Sequence, residues 1–142
     1  MNEPTLEGIV IRPAEARDLN PLDVFIEPFV AQGQLLPRTT DELDALLPRG
    51  FIAERDGVIV GFAALEVYSK KLAEIRSLAV AAELRGKGVG KKLVEACIGL
   101  AHELNVLEVM AITANEDFFK SCGFDFTLPG QKKALFIQTR DP

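Results

Sequence analysis

The period of apolar and polar positions changes several times along the chain, and each change marks an element. Leu6 to Ile11 is a short apolar run closed by Arg12-Pro13 and predicts a first strand. Pro13 to Val30 carries apolar residues at Leu19, Leu22, Val24, Phe25, Phe29 and Val30, a helix-like spacing limited by Pro21 and Pro28. Gln32 to Arg38 is a loop. Thr39-Thr40-Asp41-Glu42 has the residue types of a helix start, since a hydroxyl accepts from a first-turn amide and a glutamate reaches back. A short helix over Leu43, Leu46 and Leu47 is expected there, stopped by Pro48.

Phe51 to Glu54 and Val58 to Glu66 flank Arg55-Asp56-Gly57, and Asp-Gly between two apolar runs predicts a tight hairpin. Leu72 to Val80 predicts another strand, and Arg85 to Gly90 a glycine-rich turn. From Val89 to Leu104, Leu93, Val94, Cys97, Leu100, Ala101 and Leu104 fall on one face of a helix. Val106 to Thr113 predicts a strand, Glu116 to Ser121 a short helix ended by Gly123, and Phe124 to Leu128 and Ala134 to Thr139 two closing strands. The order is β-α-α-β-β-β-α-β-α-β-β. Hairpins in the middle and a strand–helix–strand unit later imply an α/β protein with a mixed sheet.

The chain has 142 residues, enough for one domain over 1–142 with a core of its own. It is 48% hydrophobic and 26% charged, with 16 Lys plus Arg against 21 Asp plus Glu and a net charge of -5. That balance disfavours general nucleic-acid binding, which draws its affinity from cations on phosphate. Two cysteines, Cys97 and Cys122, make no disulfide framework, and with one histidine, His102, they make no metal site. Met1 to Glu7 is polar and lacks the layout of a signal peptide, and the longest apolar stretch, Val58 to Leu65, is far short of a membrane span. A cytoplasmic protein without membrane partners is expected.

The turn Arg85-Gly86-Lys87-Gly88-Val89-Gly90 lies between a strand and the amphipathic helix. Glycines let backbone approach a phosphate closely, and the unpaired amides of the helix's first turn then point at the anion. Arg85 and Lys87 add positive charge. A dinucleotide fingerprint would need glycine at Lys91, and a Walker loop would need a hydroxyl residue where Lys92 stands, so neither fits. Arg85, Gly88 and Gly90 do fill the R/Q-x-x-G-x-G/A pattern of acetyl-CoA binding.

With that turn as anchor, the chain resembles GNAT N-acetyltransferases along nearly its whole length. The matching segments are Ile11-Arg12-Pro13-Ala14, Glu74 to Val80, and Asn115 with Phe118-Phe119-Lys120-Ser121-Cys122-Gly123-Phe124. More narrowly it resembles the acetyltransferase domain of N-acetylglutamate synthases, through Gly33 to Arg38, Ala63-Ala64-Leu65, Glu74 to Val80, and Leu128-Pro129 with Lys132, Lys133 and Leu135. Many such synthases also carry an amino-acid-kinase-like domain, of which these residues hold none.

The resemblance implies the GNAT fold, acetyl-CoA as co-substrate without a metal, and a small anionic acceptor such as glutamate. It implies that Leu78, Ala79 and Val80 grip the pantetheine arm through backbone groups, that Arg85 to Gly90 holds the pyrophosphate, and that Asn115 and Phe118 lie beside the cofactor. Glu74 matches the glutamate base of some members. Its other role is that of a salt-bridged strand residue beside Arg76, with water chains moving the proton. Arg38 and Arg140 match arginines that contact the acceptor, and Arg76 is a third candidate because alternate strand residues share a face with Glu74. Several members protonate the leaving thiolate with a late-helix tyrosine; here that position is Phe119, and the only tyrosine is Tyr68.

Departures from the synthases are Ile112-Thr113-Ala114 in place of Thr-Thr-Arg, and a C-terminal stretch without their Asn and Ser positions. Two alternatives therefore stay open: an acetyltransferase for another amine or a protein terminus, and a sensor module that binds acyl-CoA without turnover. A homodimer is compatible with the resemblance, and no patch in the sequence specifies it.

Overall fold

Phe62, Ala63, Ala64 and Leu65 are each at most 1% exposed, because the strand that carries them is covered on both faces. The computed structural model describes residues 8–127, 130 and 134–139. Strands β1 (Ile9–Pro13), β2 (Gly50–Arg55), β3 (Val58–Val67), β4 (Leu72–Val80) and β5 (Glu108–Met110) lie side by side in that order. The first three pairings are antiparallel and β4–β5 is parallel. Helices α1 (Leu19–Ala31) and α2 (Thr40–Leu46) cover one face, and α3 (Val89–Glu103) covers the other.

Two apolar clusters result. Leu22, Ile26, Leu43, Leu46 and Leu47 pack on Ile52, Phe62 and Ala64. Leu93, Val94, Cys97 and Ala101 pack on Ala53, Ala63, Leu65, Ala73 and Ile75. Alternate residues of one strand feed opposite clusters, as the period-2 geometry of a strand requires. This explains the unbroken apolar run in β3: a strand buried on both faces has no polar side to present.

Local chemistry sets the element ends. Asp56 and Gly57 both take positive φ, 53° and 77°, and form the two-residue loop between paired Arg55 and Val58. At α2 the Thr39 hydroxyl accepts from the Glu42 amide and the Glu42 carboxylate accepts from the Thr39 amide, a capping box. Helix α1 includes Pro21 and Pro28, both anticipated as limits, and runs on to Ala31.

Three expectations need correction. The first strand spans Ile9–Pro13, displaced toward the proline. The strand expected over Val106 to Thr113 is reduced to Glu108–Met110. Neither closing strand forms among the described residues 124–127 and 134–139. At the first of these the Asp125 carboxylate takes the Phe126 amide at 2.7 Å, which uses a donor that a strand ladder would need. At the second, Ala134-Leu135-Phe136-Ile137 is an apolar run without alternation, and Leu135, Phe136 and Ile137 are exposed.

A buried ion cluster fastens the start of α1 to the sheet. Arg12 on β1 donates from both terminal nitrogens to the two Asp18 oxygens at 2.8 Å, and from Nε to Glu54 at 2.7 Å. Asp18 also accepts from the Glu15 amide at 2.7 Å. The Arg12 hydrogen bonds hold the Asp18 carboxyl below the usual carboxylate range, against the opposing effect of burial. A depressed folded-state pKa contributes stability above the unfolded value, about 3.9, that is lost as pH falls through the folded one. Asp18→Asn is therefore expected to cost about 2 kcal/mol at pH 7, since it weakens the pairing with a half-buried guanidinium. The penalty should shrink in urea titrations carried out below pH 3, and one that is equal at both pH values would refute this account.

Candidate active site

Strand β4 has a partner along its β3 side and very little on the other. Its parallel pairing with β5 consists of Leu72 with Glu108, Ala73 with Val109, and Glu74 with Met110, and it ends there. From Ile75 to Val80 the β5 side of β4 has no strand partner among the described residues, so Leu78, Ala79 and Val80 lie on that free stretch. On the β3 side, Ser77 and Leu78 both stand against Ala63, a bulge in which Ser77 takes φ 57°.

The free stretch leads to the glycine turn. Residues 85–88 are exposed, whereas Val89 is fully buried and anchors the turn, so Val89 can offer a ligand only its backbone. Gly88 is the N-cap of α3, with φ 92°, and no side chain among the described residues caps the helix. The first-turn amides are thus left for another acceptor. A Cβ built on Gly90 would lie 3.2 and 3.3 Å from the Phe118 ring and 3.6 Å from Val80 Cγ2. The helix start, the end of β4 and α4 (Glu116–Ser121) therefore converge at one point, with only a glycine's width between them.

The expected cofactor residues behave differently in detail. Phe118 is half-buried and meets Phe119 edge-on, with centroids 5.1 Å apart. Asn115 caps α4 through its side-chain oxygen, which accepts from the Phe118 amide at 3.3 Å. The Arg85 guanidinium turns toward the loop after α1, over the Phe29 ring at 5.9 Å and onto Gln34 Oε1 at 3.0 Å. Gly86 takes φ 75°, and Lys87 is exposed.

The acceptor candidates gather where β4 and β5 part. Glu74 is only 6% exposed and stands directly across β3–β4 from Glu66. Like charges in that position repel, and Arg76 relieves them: its Nη1 lies 2.8 Å from Glu66 Oε1 and 3.5 Å from Glu74 Oε1. Burial works against the Arg76 charge, but the Tyr68 hydroxyl and the two carboxylates outweigh it and raise its pKa. Arg38 reaches the bulge and donates from Nε to Ser77 Oγ at 2.9 Å. Arg140 lies outside the described residues.

Four participants were not recognised from the sequence as parts of the site. Tyr68 donates to Glu74 at 2.5 Å across the β3–β4 hairpin. Glu66 neutralises Arg76, Ser77 receives Arg38, and Gln34 receives Arg85. Only the pairing of Val58–Glu66 with Leu72–Val80 as a hairpin would have signalled Tyr68 and Glu66. The bulge at Ser77 leaves no mark in residue type. Elsewhere, burial pushes the Cys97 thiol up to about 12 and also raises Cys122, so neither has a nucleophile's acidity. No helix among the described residues is long and apolar enough to cross a membrane.

A mixed sheet whose strands β4 and β5 part beside a glycine-initiated helix leaves an open strand edge that leads to a helix start suited to an anion. The Acetyltransferase (GNAT) family matches residues 20–124, and the chain belongs to that family. It is 36% identical to an uncharacterized N-acetyltransferase of Chlorobaculum tepidum, over 80% of this chain and 74% of that protein. It is 32% identical to the amino-acid acetyltransferase of Pasteurella multocida, over 92% of this chain but only 31% of that longer protein. The N-acetylglutamate synthase of Neisseria gonorrhoeae, solved with coenzyme A and N-acetyl-glutamate, superposes with a TM-score of 0.73 at 29% identity. That superposition covers 80% of this chain and 27% of the synthase.

Gly90→Val tests the convergence. Its side chain would enter the Phe118 ring, so CoA affinity measured calorimetrically should fall tenfold or more, about 1.4 kcal/mol. A larger effect on CoA than on melting temperature is expected, and unaltered CoA affinity would remove Gly90 and Phe118 from the binding slot.

Proposed function

We propose that the chain transfers the acetyl group of acetyl-CoA to the amine of a small anionic acceptor, an amino acid with glutamate as first candidate. The observation that carries this proposal is the continuity of the free β4 edge. One end lies at the buried Glu74 carboxylate and the other at the uncapped start of α3. The similarity to amino-acid acetyltransferases supports the choice of acceptor.

In the proposed assignment, the amides of residues 88–90 and the charges of Arg85 and Lys87 receive the pyrophosphate. The backbone of Leu78, Ala79 and Val80 takes the pantetheine arm, with Asn115 and Phe118 on its other side. Held in this way, the thioester is fixed for attack rather than met by diffusion. Glu74 takes a proton from the acceptor's ammonium group, and the freed amine attacks the thioester carbonyl. The C–N bond forms, the nitrogen gives up its second proton to water, the C–S bond breaks, and CoA leaves as a thiolate. Phe119, 9% exposed and packed edge-on against Phe118 and Phe124, has no proton to give, so water protonates the thiolate.

Arg38, Arg76 and Arg140 are the proposed contacts for acceptor carboxylates. Arg38 is the most available of those described: its recorded partner is the neutral Ser77 hydroxyl, and no carboxylate lies within salt-bridge distance of it among the described residues. A guanidinium without a carboxylate partner suits an incoming one.

Release of free CoA from acetyl-CoA across the common amino acids, polyamines and short peptides tests the proposal. Release led by glutamate is the expected result. Release led by a polyamine would refute the anionic acceptor, and bound CoA with no release for any amine would refute catalysis. Glu74→Gln should lower kcat/KM on the order of a hundredfold and abolish its rise with pH, as loss of a general base does. An unchanged pH profile would exclude Glu74 from that role.

A further inference from the structure

Glu74 has two carboxylate oxygens, and the structure treats them differently. Oε1 accepts the Tyr68 hydroxyl at 2.5 Å and has Arg76 Nη1 at 3.5 Å. Oε2 has no hydrogen-bond partner among the described residues, and none of their buried side-chain oxygens lacks one. Oε2 is therefore the oxygen with access to solvent. One oxygen is fixed and the other is open, at the point where β4 and β5 part.

On the assignment of Glu74 as the base, we infer that Tyr68 is its positioning residue: the Tyr68 hydroxyl holds Oε1 and thereby turns Oε2 toward the acceptor amine. Three features make Tyr68 fit for this task. Its backbone amide bonds to the Leu72 carbonyl at 3.0 Å, so the hairpin itself fixes where the ring begins. Arg76 Nη1 donates to its hydroxyl oxygen at 3.2 Å, which leaves the phenolic hydrogen for the carboxylate. The phenol also keeps its proton at neutral pH, because burial and the adjoining Glu74 both raise its pKa while Arg76 offsets only part of the rise. Tyr68 is thus a donor at working pH, not a second base.

The geometry also separates Tyr68 from the tyrosine expected on the late helix. That residue would deliver a proton to the thiolate, and its position is filled here by Phe119. Tyr68 transfers no proton. Its hydrogen bond is made before the reaction and fixes Oε1 of Glu74. The other charged groups facing Glu74 are Glu66 from β3, directly opposite, and Arg76 from β4, while β5 contributes the uncharged Met110.

Tyr68→Phe removes the hydroxyl and little else. Four readouts distinguish positioning from simple stability. In protein labelled at the glutamate δ-carbon, with the Glu74 resonance assigned by its loss in Glu74→Gln, the Glu74 resonance should shift at fixed pH in Tyr68→Phe. In turnover with the best amino acid of the acceptor panel, kcat/KM for that acceptor should fall on the order of ten- to a hundredfold. CoA affinity should stay within twofold. In a Glu74→Gln background the same substitution should have no further effect on rate. An unmoved Glu74 resonance in Tyr68→Phe overturns the inference even if activity falls, because the loss would then be structural. If Glu74→Gln alone leaves the pH profile unchanged, the assignment of Glu74 as base fails instead. The NMR comparison then still decides whether Tyr68 holds the carboxylate.

Discussion

Two thirds of one edge of β4, from Ile75 to Val80, is left without a strand partner among the described residues, and the site depends on that. A central strand normally spends its amides and carbonyls on two neighbours, because an unpaired buried backbone group costs about as much as a lost hydrogen bond. Here β5 takes three residues and diverges. What keeps β4 in place is its long antiparallel pairing with β3, itself locked between two apolar clusters. The bulge at Ser77 then re-aims the strand where it passes the cleft, and gives Arg38 a hydroxyl to hold. Rigid packing on one side makes an open edge sustainable on the other.

The same strand creates an electrostatic problem and answers it locally. Glu66 and Glu74 face each other across β3–β4, and Glu74 is nearly buried. Arg76, two residues further along β4, is placed by strand geometry on the same face and balances both. Tyr68 arrives from the hairpin end. The result is a compact group of two acids, one arginine and one phenol at the mouth of the slot. Its hydrogen bonds are interdependent, so removing any member disturbs the others.

Most of this scaffold was legible where a local rule sets the outcome. Asp56-Gly57 dictated its hairpin, Thr39 and Glu42 their capping box, and the spacing from Leu93 to Ala101 the buried face of α3. Leu72–Val80 and Glu116–Ser121 have the predicted bounds. The failures came where a local pattern competes with something it does not encode. The closing strands were expected from apolar content, but content without alternation does not specify a face, and Asp125 diverts a needed amide. Nothing in the sequence assigns Tyr68 a role, because the resemblance places a tyrosine on the late helix, where Phe119 stands. Its contact with Glu74 depends on cross-strand register, which single residues do not announce. Ser77 shows the same limit, since its positive φ is imposed by a bulge and not by its residue type.

Charge balance at the mouth of the slot bears on which acceptors the proposed chemistry suits. Glu66 and Glu74 contribute two negative charges and Arg76 one positive, while Arg38 stands on the bulge with a neutral partner. An acceptor with an amine near a carboxylate meets this arrangement with both signs matched: the amine toward Glu74, the carboxylate toward Arg38. A polyamine would satisfy the acids but be repelled by both arginines. A free carboxylic acid would find a guanidinium but bring nothing for Glu74 to deprotonate. A second acceptor carboxylate calls for a second cation, and Arg76 can supply it only by sharing itself with Glu66 and Glu74. On the proposed reading, discrimination between glutamate and neutral amino acids therefore turns on how tightly Glu66 holds Arg76. That places acceptor choice on β3, beside the strand that would carry the chemistry.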